Sequence, residues 1–335
     1  MKPANRPSAQ PVRWQQLWRE AVTDPHELLQ LLGLATHAKE LLPEADSGFA
    51  LRVPRGFVAR MRRGDPADPL LLQVLPRAAE LGEIPGFTRD AVGDLAARTA
   101  SGMLHKYHGR ALLIATGSCA VNCRYCFRRH FPYATETAAA DRWRQAVAQL
   151  RADASIGEVI LSGGDPLSLS TPKLAELTTA LATIPHLRRL RIHTRLPVVL
   201  PGRIDGEFLD WFGALPFQRV VVLHANHPHE IDDAVDLACA GLRDQVGGNR
   251  ASQGVEQPVG QLRLVPAHRL ERGEILRAVA LDHVAGQRPR AAGEADQWHA
   301  AVQFAADQPH RVHHVAQFAV HVGHGEPVDV ARRAH

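Results

Sequence analysis

Between residues 110 and 243, short apolar runs alternate with longer amphipathic segments. The apolar runs predict four strands: ALLIAT (111–116), EVILSG (158–163), LRIHT (190–194) and VVVLHA (220–225). The amphipathic segments predict helices at about 139–153, 171–184, 205–214 and 231–243. Strands and helices that alternate at about 30-residue spacing indicate right-handed βαβ units and a parallel sheet. The pattern therefore predicts an α/β fold, with a full barrel, a partial barrel and an open doubly wound sheet as alternatives.

The first hundred residues have a different pattern, and we expect a mainly helical N-terminal region over 1–100. The segment DPHELLQLLGL (24–34) places an Asp cap before a proline and a run of leucines, which is a good helix start. The segment 51–76 alternates apolar and basic positions and is interrupted by two Asp-Pro pairs. We expect this region to pack on a larger α/β core over 101–243.

Beyond residue 243 the strand and helix rhythm ends, so we separate a tail over 244–335. This tail has no Leu or Ile from 282 to 335, and the last 95 residues hold 9 of the 19 histidines. Either the tail has diverged, or the reading frame is broken near residue 243. The composition favours the frameshift, because leucine is among the commonest residues of folded domains. A broken frame would remove the later barrel strands and leave the fourth strand as an edge.

The overall composition points to an ordinary globular protein. The chain has 335 residues, 45% of them hydrophobic and 22% charged, which excludes collagen, coiled coil and wholesale disorder. No apolar run approaches the ~20 residues that span a bilayer, and no apolar stretch follows the basic N-terminus as in a secretory signal. The net charge of +4 is spread along the chain. We therefore expect a cytoplasmic enzyme without a nucleic-acid or membrane partner.

Three of the four cysteines lie within the segment GSCAVNCRYCFRRH (117–130), directly after the first predicted strand. Thiolates of Cys119, Cys123 and Cys126 can hold three irons of a [4Fe–4S] cluster, and the missing fourth ligand leaves one iron open to a small molecule. A zinc site completed by a histidine (His130, His105 or His108) is the alternative. Structural zinc sites usually add a second, distant cysteine pair, which the sequence lacks. The spacing therefore favours iron and sulfur.

This triad, in this position, resembles the radical S-adenosylmethionine (SAM) superfamily. The segments CAVNCRYCFRRHFPY (119–133) and LHKYHGRALLI (104–114) resemble the lysine 2,3-aminomutase family. Within that family they are most similar to the members associated with β-lysylation of elongation factor P. The resemblance runs from about residue 12 to about 240. It implies a partial (β/α) barrel with the cluster on the loop after the first strand, and the cofactors [4Fe–4S], SAM and pyridoxal phosphate.

The resemblance also implies roles for residues around the cluster. Gly163, Gly164 and Asp165, in LSGGDPLSL (161–169), would receive the amino group of SAM, although Gly-Asp-Pro alone is also good turn chemistry. His193 would line the SAM pocket, and Tyr125 would lie near the adenine.

The resemblance also bears on two further segments. Arg128 could clamp a carboxylate, since guanidinium groups bind carboxylates in a bidentate manner, and the resemblance places it against the carboxylate of the substrate. The motif HANHPHEID (224–232) invites a metal interpretation, but no carboxylate pattern completes a site. The resemblance implies that this segment is a ligand-facing loop of the barrel. We expect Cys239 to be a small hydrophobic residue on a helix face.

The reaction implied by the family starts when an electron donor reduces the cluster and SAM yields a 5′-deoxyadenosyl radical. The radical takes hydrogen from C3 of lysine held as a pyridoxal aldimine, and the amine migrates to give β-lysine. A separate ligase would attach this product to elongation factor P. The family's pyridoxal lysine lies near the C-terminus, whereas this chain has no lysine after Lys173, so no catalytic lysine is assigned.

Three alternatives stay open. One is a radical SAM enzyme without pyridoxal phosphate, the second a non-catalytic metal- or partner-binding protein, and the third an inactive product of a frameshifted gene.

Overall fold

The fold is built on a single sheet whose strands follow one another in the order of the sequence. A computed structural model describes residues 13–42, 50–77, 80, 88–100, 102–138, 143–247 and 318–322. The strands are β1 (Arg98–Ala100), β2 (Met103–Tyr107), β3 (Arg110–Thr116), β4 (Glu158–Gly163), β5 (Arg189–Thr194), β6 (Gln218–Ala225) and β7 (Phe318–Val322). Strands β3 to β6 are parallel, and the pairings β1–β2, β2–β3 and β6–β7 are antiparallel. The α/β prediction and all four predicted strands are thus confirmed.

Helices connect the parallel strands. The α-helices are α1 (Trp14–Arg19), α2 (Pro25–Leu31), α3 (Ala38–Leu41), α4 (Arg55–Val58), α5 (Arg144–Ala152), α6 (Thr171–Ala182), α7 (Leu196–Val199), α8 (Gly206–Gly213) and α9 (Asp233–Gly247). The chain moves across the sheet in one direction without reversing its strand order, which is the winding of a partial barrel. A doubly wound sheet would reverse its strand order at a switch point.

One row of side chains across the parallel strands forms the centre of the core. Leu113, Leu161, Ile192 and Val221 are neighbours in register and have no exposed surface. Burying an aliphatic side chain of this size contributes roughly 1.5–3 kcal/mol. Arg191 and His193 point to the opposite face of the sheet, where they are only partly buried. They bring polar groups to that face.

Residues of the N-terminal region pack onto this core. Trp14, Leu28, Phe57 and Leu71 belong to the same continuous hydrophobic cluster as the sheet residues. Its described helices are short, and α4 is the one α-helix that the structure describes within 51–76. The two Asp-Pro pairs explain this, because proline restricts the residue before it and cannot donate a backbone hydrogen bond.

The hairpin of β2 and β3 was not predicted from the hydrophobic pattern. Only Met103 and Leu104 of β2 are buried, whereas Lys106 and Tyr107 are exposed, so the strand lacks an alternating apolar face. Gly109 makes the turn with φ +79°, a left-handed conformation that favours glycine.

The tail contributes one strand to the described structure. Strand β7 pairs with β6, with Val222 opposite His321, so β6 is not the edge strand that we expected under a broken frame. Residues 248–317 and 323–335 lie outside the described residues. Within the described ranges, no helix is long and apolar enough to cross a bilayer.

Candidate functional site

The carboxyl ends of β3 to β6 bring four loops together. They are the cysteine loop (117–133) after β3, the Gly-Gly-Asp segment (163–165) after β4, the segment 195–200 after β5 and the segment 226–232 after β6. Parallel strands place these ends at one edge of the sheet, where α/β proteins bind their ligands.

The cysteine loop holds its three thiols partly buried and within electrostatic range of one another. Burial raises the pKa of the Cys119 thiol well above its usual value, and the charges of Asp165 and the other two thiols raise it further. Burial likewise raises the pKa of Cys126. Thiolate binding to a cation would offset this cost, because metal ligands must lose their protons.

A zinc ion and an iron–sulfur cluster place different demands on the three cysteines. Zinc needs its four ligands to meet at one point, and in the part of the chain that the structure describes no three His, Cys, Asp or Glu side chains do so. His105 and His108 lie in the β2–β3 hairpin, before β3, whereas the three cysteines follow β3. His130 is exposed. The thiolates of a [4Fe–4S] cluster each bind a different iron and therefore surround a larger body.

The two glycines after β4 let the loops pack closely. A Cβ on Gly164 would lie 2.5 Å from the carbonyl oxygen of Ser118, and one on Gly163 would lie 2.6 Å from that of Thr116. Gly163 also has φ +116°. The hydroxyl of Tyr133 donates to the carbonyl of Gly163 at 2.9 Å. These glycines therefore fix the cysteine loop against β4, a role that the sequence analysis did not foresee.

Asp165 joins the loops after β4 and β5. Its carboxylate accepts four hydrogen bonds, from the Thr194 hydroxyl at 2.7 Å and from the backbone N–H groups of Arg195 at 2.8 Å, Leu196 at 3.0 Å and Leu167 at 3.0 Å. The carboxylate is buried, and that burial raises its pKa. Its place beside the cysteine loop agrees with the sequence analysis, whereas its contacts are to the protein itself.

A buried polar network, here the Arg195 network, lies beside the cysteine loop. Arg195 donates from Nη1 to the Sγ of Cys123 at 2.8 Å and to the hydroxyl of Tyr125 at 2.5 Å. From Nη2 it donates to Gln73 at 2.5 Å and to Glu230 at 3.1 Å. Asn226 completes the network through Gln73, at 3.0 Å.

Two polar atoms of this network are free to bind a ligand. Within the described chain, the buried atoms Nε of Arg195 and Oδ1 of Asn226 have no hydrogen-bond partner. Buried polar atoms are usually paired, so these two atoms suit a polar ligand next to Cys123 and Tyr125.

His193 lies near His224, with ring centroids 5.8 Å apart. Burial, with a smaller effect from the charge of Arg195, lowers the pKa of His224 to about 4. The ring of His224 is therefore neutral at neutral pH. His227 accepts a hydrogen bond at Nδ1 from the backbone of His229 at 3.2 Å, so this histidine motif is partly engaged in its own turn.

Arg128, which is part of the cysteine loop, belongs to a second group of charges. Its Nε forms a 2.7 Å ion pair with Asp94, and its Nη1 donates to the hydroxyl of Ser162 at 3.0 Å. Asp94 is also 2.5 Å from the Nζ of Lys106. We call Arg128, Asp94 and Lys106 the Asp94 group.

The Asp94 group borders a cavity of about 200 Å³. The lining is mostly apolar and consists of Val92, Asp94, Leu104, Lys106, Tyr107, Arg110, Leu112, Phe127, Arg128 and Ile160. Three of these side chains are cationic and one is acidic, so the cavity favours an anion or a carboxylate.

Gln73, Asp94 and Glu230 were missed by the sequence analysis. Gln73 and Asp94 come from the irregular N-terminal region, where no motif marks them. Glu230 stands inside the histidine motif after β6, and its complete burial could not be inferred from the sequence. Buried charge of this kind is typical of functional sites.

Comparison with known proteins places this chain in a class. Residues 113–234 match the family model described as the radical SAM superfamily, and this range contains the three cysteines and β4 to β6. The chain is 45% identical over 243 residues to the L-lysine 2,3-aminomutase of Escherichia coli (strain K12), which is 72% of this chain and 70% of that protein. The chain belongs to the lysine 2,3-aminomutase family of radical SAM enzymes.

Other relatives carry the same name. The L-lysine 2,3-aminomutase of Haemophilus influenzae is 45% identical over 219 residues, covering 65% of each chain. That of Clostridium subterminale is 31% identical over 235 residues, or 69% of this chain and 55% of that protein. The chain thus spans just over half to about two thirds of the length of these two relatives. The family implies a [4Fe–4S] cluster, SAM and pyridoxal phosphate as cofactors.

Proposed function

We propose that this protein is an isomerase that converts L-lysine to β-lysine by radical SAM chemistry. The observation that carries the proposal is the juxtaposition of the cysteine loop with a cavity bordered by Arg128. The ligands of the cluster would be Cys119, Cys123 and Cys126, each on a different iron, which leaves the fourth iron for SAM.

The residues around the cysteine loop support a SAM site. When bound, the cluster and SAM supply a 5′-deoxyadenosyl radical, and pyridoxal phosphate supplies an aldehyde for the substrate amine. We propose that Tyr125 and His193 flank SAM, and that Gly163, Gly164 and Asp165 hold the loop edge that receives its amino group.

Unused polar atoms beside this loop also support a ligand there. Nε of Arg195 and Oδ1 of Asn226 are buried and lack a hydrogen-bond partner within the described residues. A polar molecule bound next to the cluster would satisfy them, and buried polar atoms are usually satisfied.

The cavity supports an amino acid and a phosphate-bearing cofactor. We propose that Arg128 binds the carboxylate of lysine, because Asp94 neutralises only one of the two cations paired with it. Arg110, another lining residue, adds a further positive charge, which suits a phosphate group. Apolar side chains such as Leu112 keep water away from the reacting carbon. No residue is proposed for the covalent link to pyridoxal phosphate, since no lysine follows Lys173.

The cellular context forms part of the proposal. We propose a cytoplasmic enzyme that receives its electron from a low-potential donor, and whose product a separate ligase attaches to elongation factor P. We also propose the division into an N-terminal region (1–100), a core (101–243) and a tail (244–335).

The missing lysine favours a second candidate, a radical SAM enzyme without pyridoxal phosphate. Resequencing codons 235–260 and onward separates the two candidates. A change of frame that restores leucine-rich βα units and a C-terminal lysine would favour the aminomutase, and a confirmed frame would favour the second candidate.

The direct test is anaerobic reconstitution with iron and sulfide, followed by incubation with SAM, dithionite, pyridoxal phosphate and L-lysine. We expect bound iron and acid-labile sulfide, release of 5′-deoxyadenosine, and β-lysine. Cys126→Ser should lose the cluster, whereas Cys239→Ser, on α9, should retain it. 5′-Deoxyadenosine without β-lysine would favour the second candidate. Zinc in place of iron and sulfide would contradict both candidates.

A further inference from the structure

The Arg195 network places a buried cation directly on a proposed cluster ligand. The Arg195 side chain is 8% exposed, and its Nη1 donates to the Sγ of Cys123 at 2.8 Å. The same guanidinium stacks near the rings of Phe57 and Tyr125, at 5.5 and 5.8 Å from their centroids. These contacts hold the charge beside the sulfur and leave the guanidinium little freedom to turn away.

A buried carboxylate opposes this cation. Glu230 has no exposed surface, and its Oε2 lies 3.1 Å from the Nη2 of Arg195. Its other oxygen accepts hydrogen bonds from the side-chain amide of Gln73 at 2.8 Å and from the backbone N–H of Asn226 at 3.1 Å. The carboxylate is therefore fixed as firmly as the arginine.

The charges of Arg195 and Glu230 both act on the sulfur of Cys123 within the protein interior, where electrostatic interactions are stronger than in water. Hydrogen bonds to ligand sulfurs and nearby charge set the reduction potential of iron–sulfur clusters. When a cluster gains one electron, its negative charge increases. A cation beside a ligand sulfur stabilises that reduced state, and a buried carboxylate destabilises it.

We propose that Arg195 and Glu230 act as a pair of positioning residues that sets the reduction potential of the cluster through Cys123. The inference rests on the proposed function, because it requires the cluster. The step is the transfer of one electron from a low-potential donor to the cluster, with no bond made or broken in the protein. Arg195 raises the potential, and Glu230 partly offsets it.

The test is a redox titration of the reconstituted protein with dithionite, followed by electron paramagnetic resonance of the reduced cluster. Arg195→Met should shift the midpoint potential to a more negative value. Glu230→Gln, which keeps the shape and the hydrogen-bonding capacity of the side chain, should shift it to a more positive value. Arg195→Lys keeps the charge and should fall between wild type and Arg195→Met.

Arg219→Met is the matched control. Arg219 is also buried, but it donates to backbone carbonyls of Phe212 and Gln245 at the other end of β6. We expect this variant to keep the wild-type potential. A general loosening of the fold would shift Arg195→Met and Glu230→Gln in the same direction, so opposite shifts are specific to the proposed pair.

The outcomes separate this inference from the proposed function. If the wild-type chain takes up no iron and sulfide, both are wrong. If the cluster forms but the two variants leave its potential unchanged, or shift it in the same direction, the inference is wrong and the proposed function stands. Opposite shifts support the inference even when no β-lysine is formed.

Discussion

Of two buried arginines at the cysteine loop, Arg195 lies against the loop and Arg128 lies within it, and they are used differently. Arg195 pairs with Glu230 and points one nitrogen at the thiol of Cys123. Arg128 pairs with Asp94, whose other oxygen is held by Lys106. In the described structure the carboxylate of Glu230 thus has one ion-pair partner, and that of Asp94 has two.

Because of this difference in charge balance, we assign a positioning role to Arg195 and a binding role to Arg128. Around Arg195 the charges cancel, so the network can be buried and can fix the loops after β3, β5 and β6. Around Arg128 one positive charge remains in excess beside a cavity, where it can attract the carboxylate of a ligand. Arginine serves both purposes because its planar group binds several partners in a fixed geometry.

The largest expected difference is in stability. Arg195→Met should lower the free energy of unfolding by about 4 kcal/mol, because it leaves the buried Glu230 without its ion-pair partner. Arg128→Met should cost about half as much, since Asp94 keeps Lys106 as a partner. Urea denaturation of the protein without cofactors measures both values. Equal losses of unfolding free energy in the two variants would mean that Arg195 and Arg128 do not differ in charge balance.

A second test asks whether backbone packing also holds the cysteine loop. Gly164→Ala should cost about 2 kcal/mol, because the added Cβ would lie 2.5 Å from the Ser118 carbonyl oxygen and the loop must shift. Gly206→Ala is the control, since a Cβ at this position meets nothing within 4 Å. Similar unfolding free energies for the two variants would rule out the close packing.

A third test uses the histidine beside Arg195. The pKa of His224 falls from 6.5 to about 4 on folding, so the unfolded chain binds more protons between these values. The contribution of the neutral ring to stability is therefore present above pH 6.5 and is lost as the pH falls towards 4. Over this pH range, the free energy of unfolding of His224→Gln should fall by about 2 kcal/mol less than that of the wild type. Urea denaturation across this pH range measures it, and the exposed His130→Gln should change the slope much less.

The smallest expected effect concerns Arg128 and the binding of substrate. Arg128→Lys should raise the KM for lysine about tenfold, or about 1.4 kcal/mol, with a smaller change in kcat, because an ammonium group cannot form the bidentate contact. Arg129→Lys is the control, since Arg129 forms an ion pair with Glu80 at 2.5 Å. A fall in kcat at constant KM would show that Arg128 does not bind substrate in the ground state.

The strands of the parallel sheet could be predicted because their signal is local. Each apolar run from β3 to β6 identified its strand to within one or two residues. The spacing of the three cysteines is equally local, since a short loop must hold them together. Strand β2 was missed because only two of its five residues are buried.

The sequence alone therefore determined the α/β class, the position of the cysteine loop and the resemblance to the family. Only the tertiary structure showed that Gln73 and Glu230, 157 residues apart, share a hydrogen bond, and that Asp94 holds Arg128. The physical reason is that hydrophobic periodicity and loop spacing are properties of neighbouring residues. The burial of a charge and the identity of its partner depend on how distant segments pack.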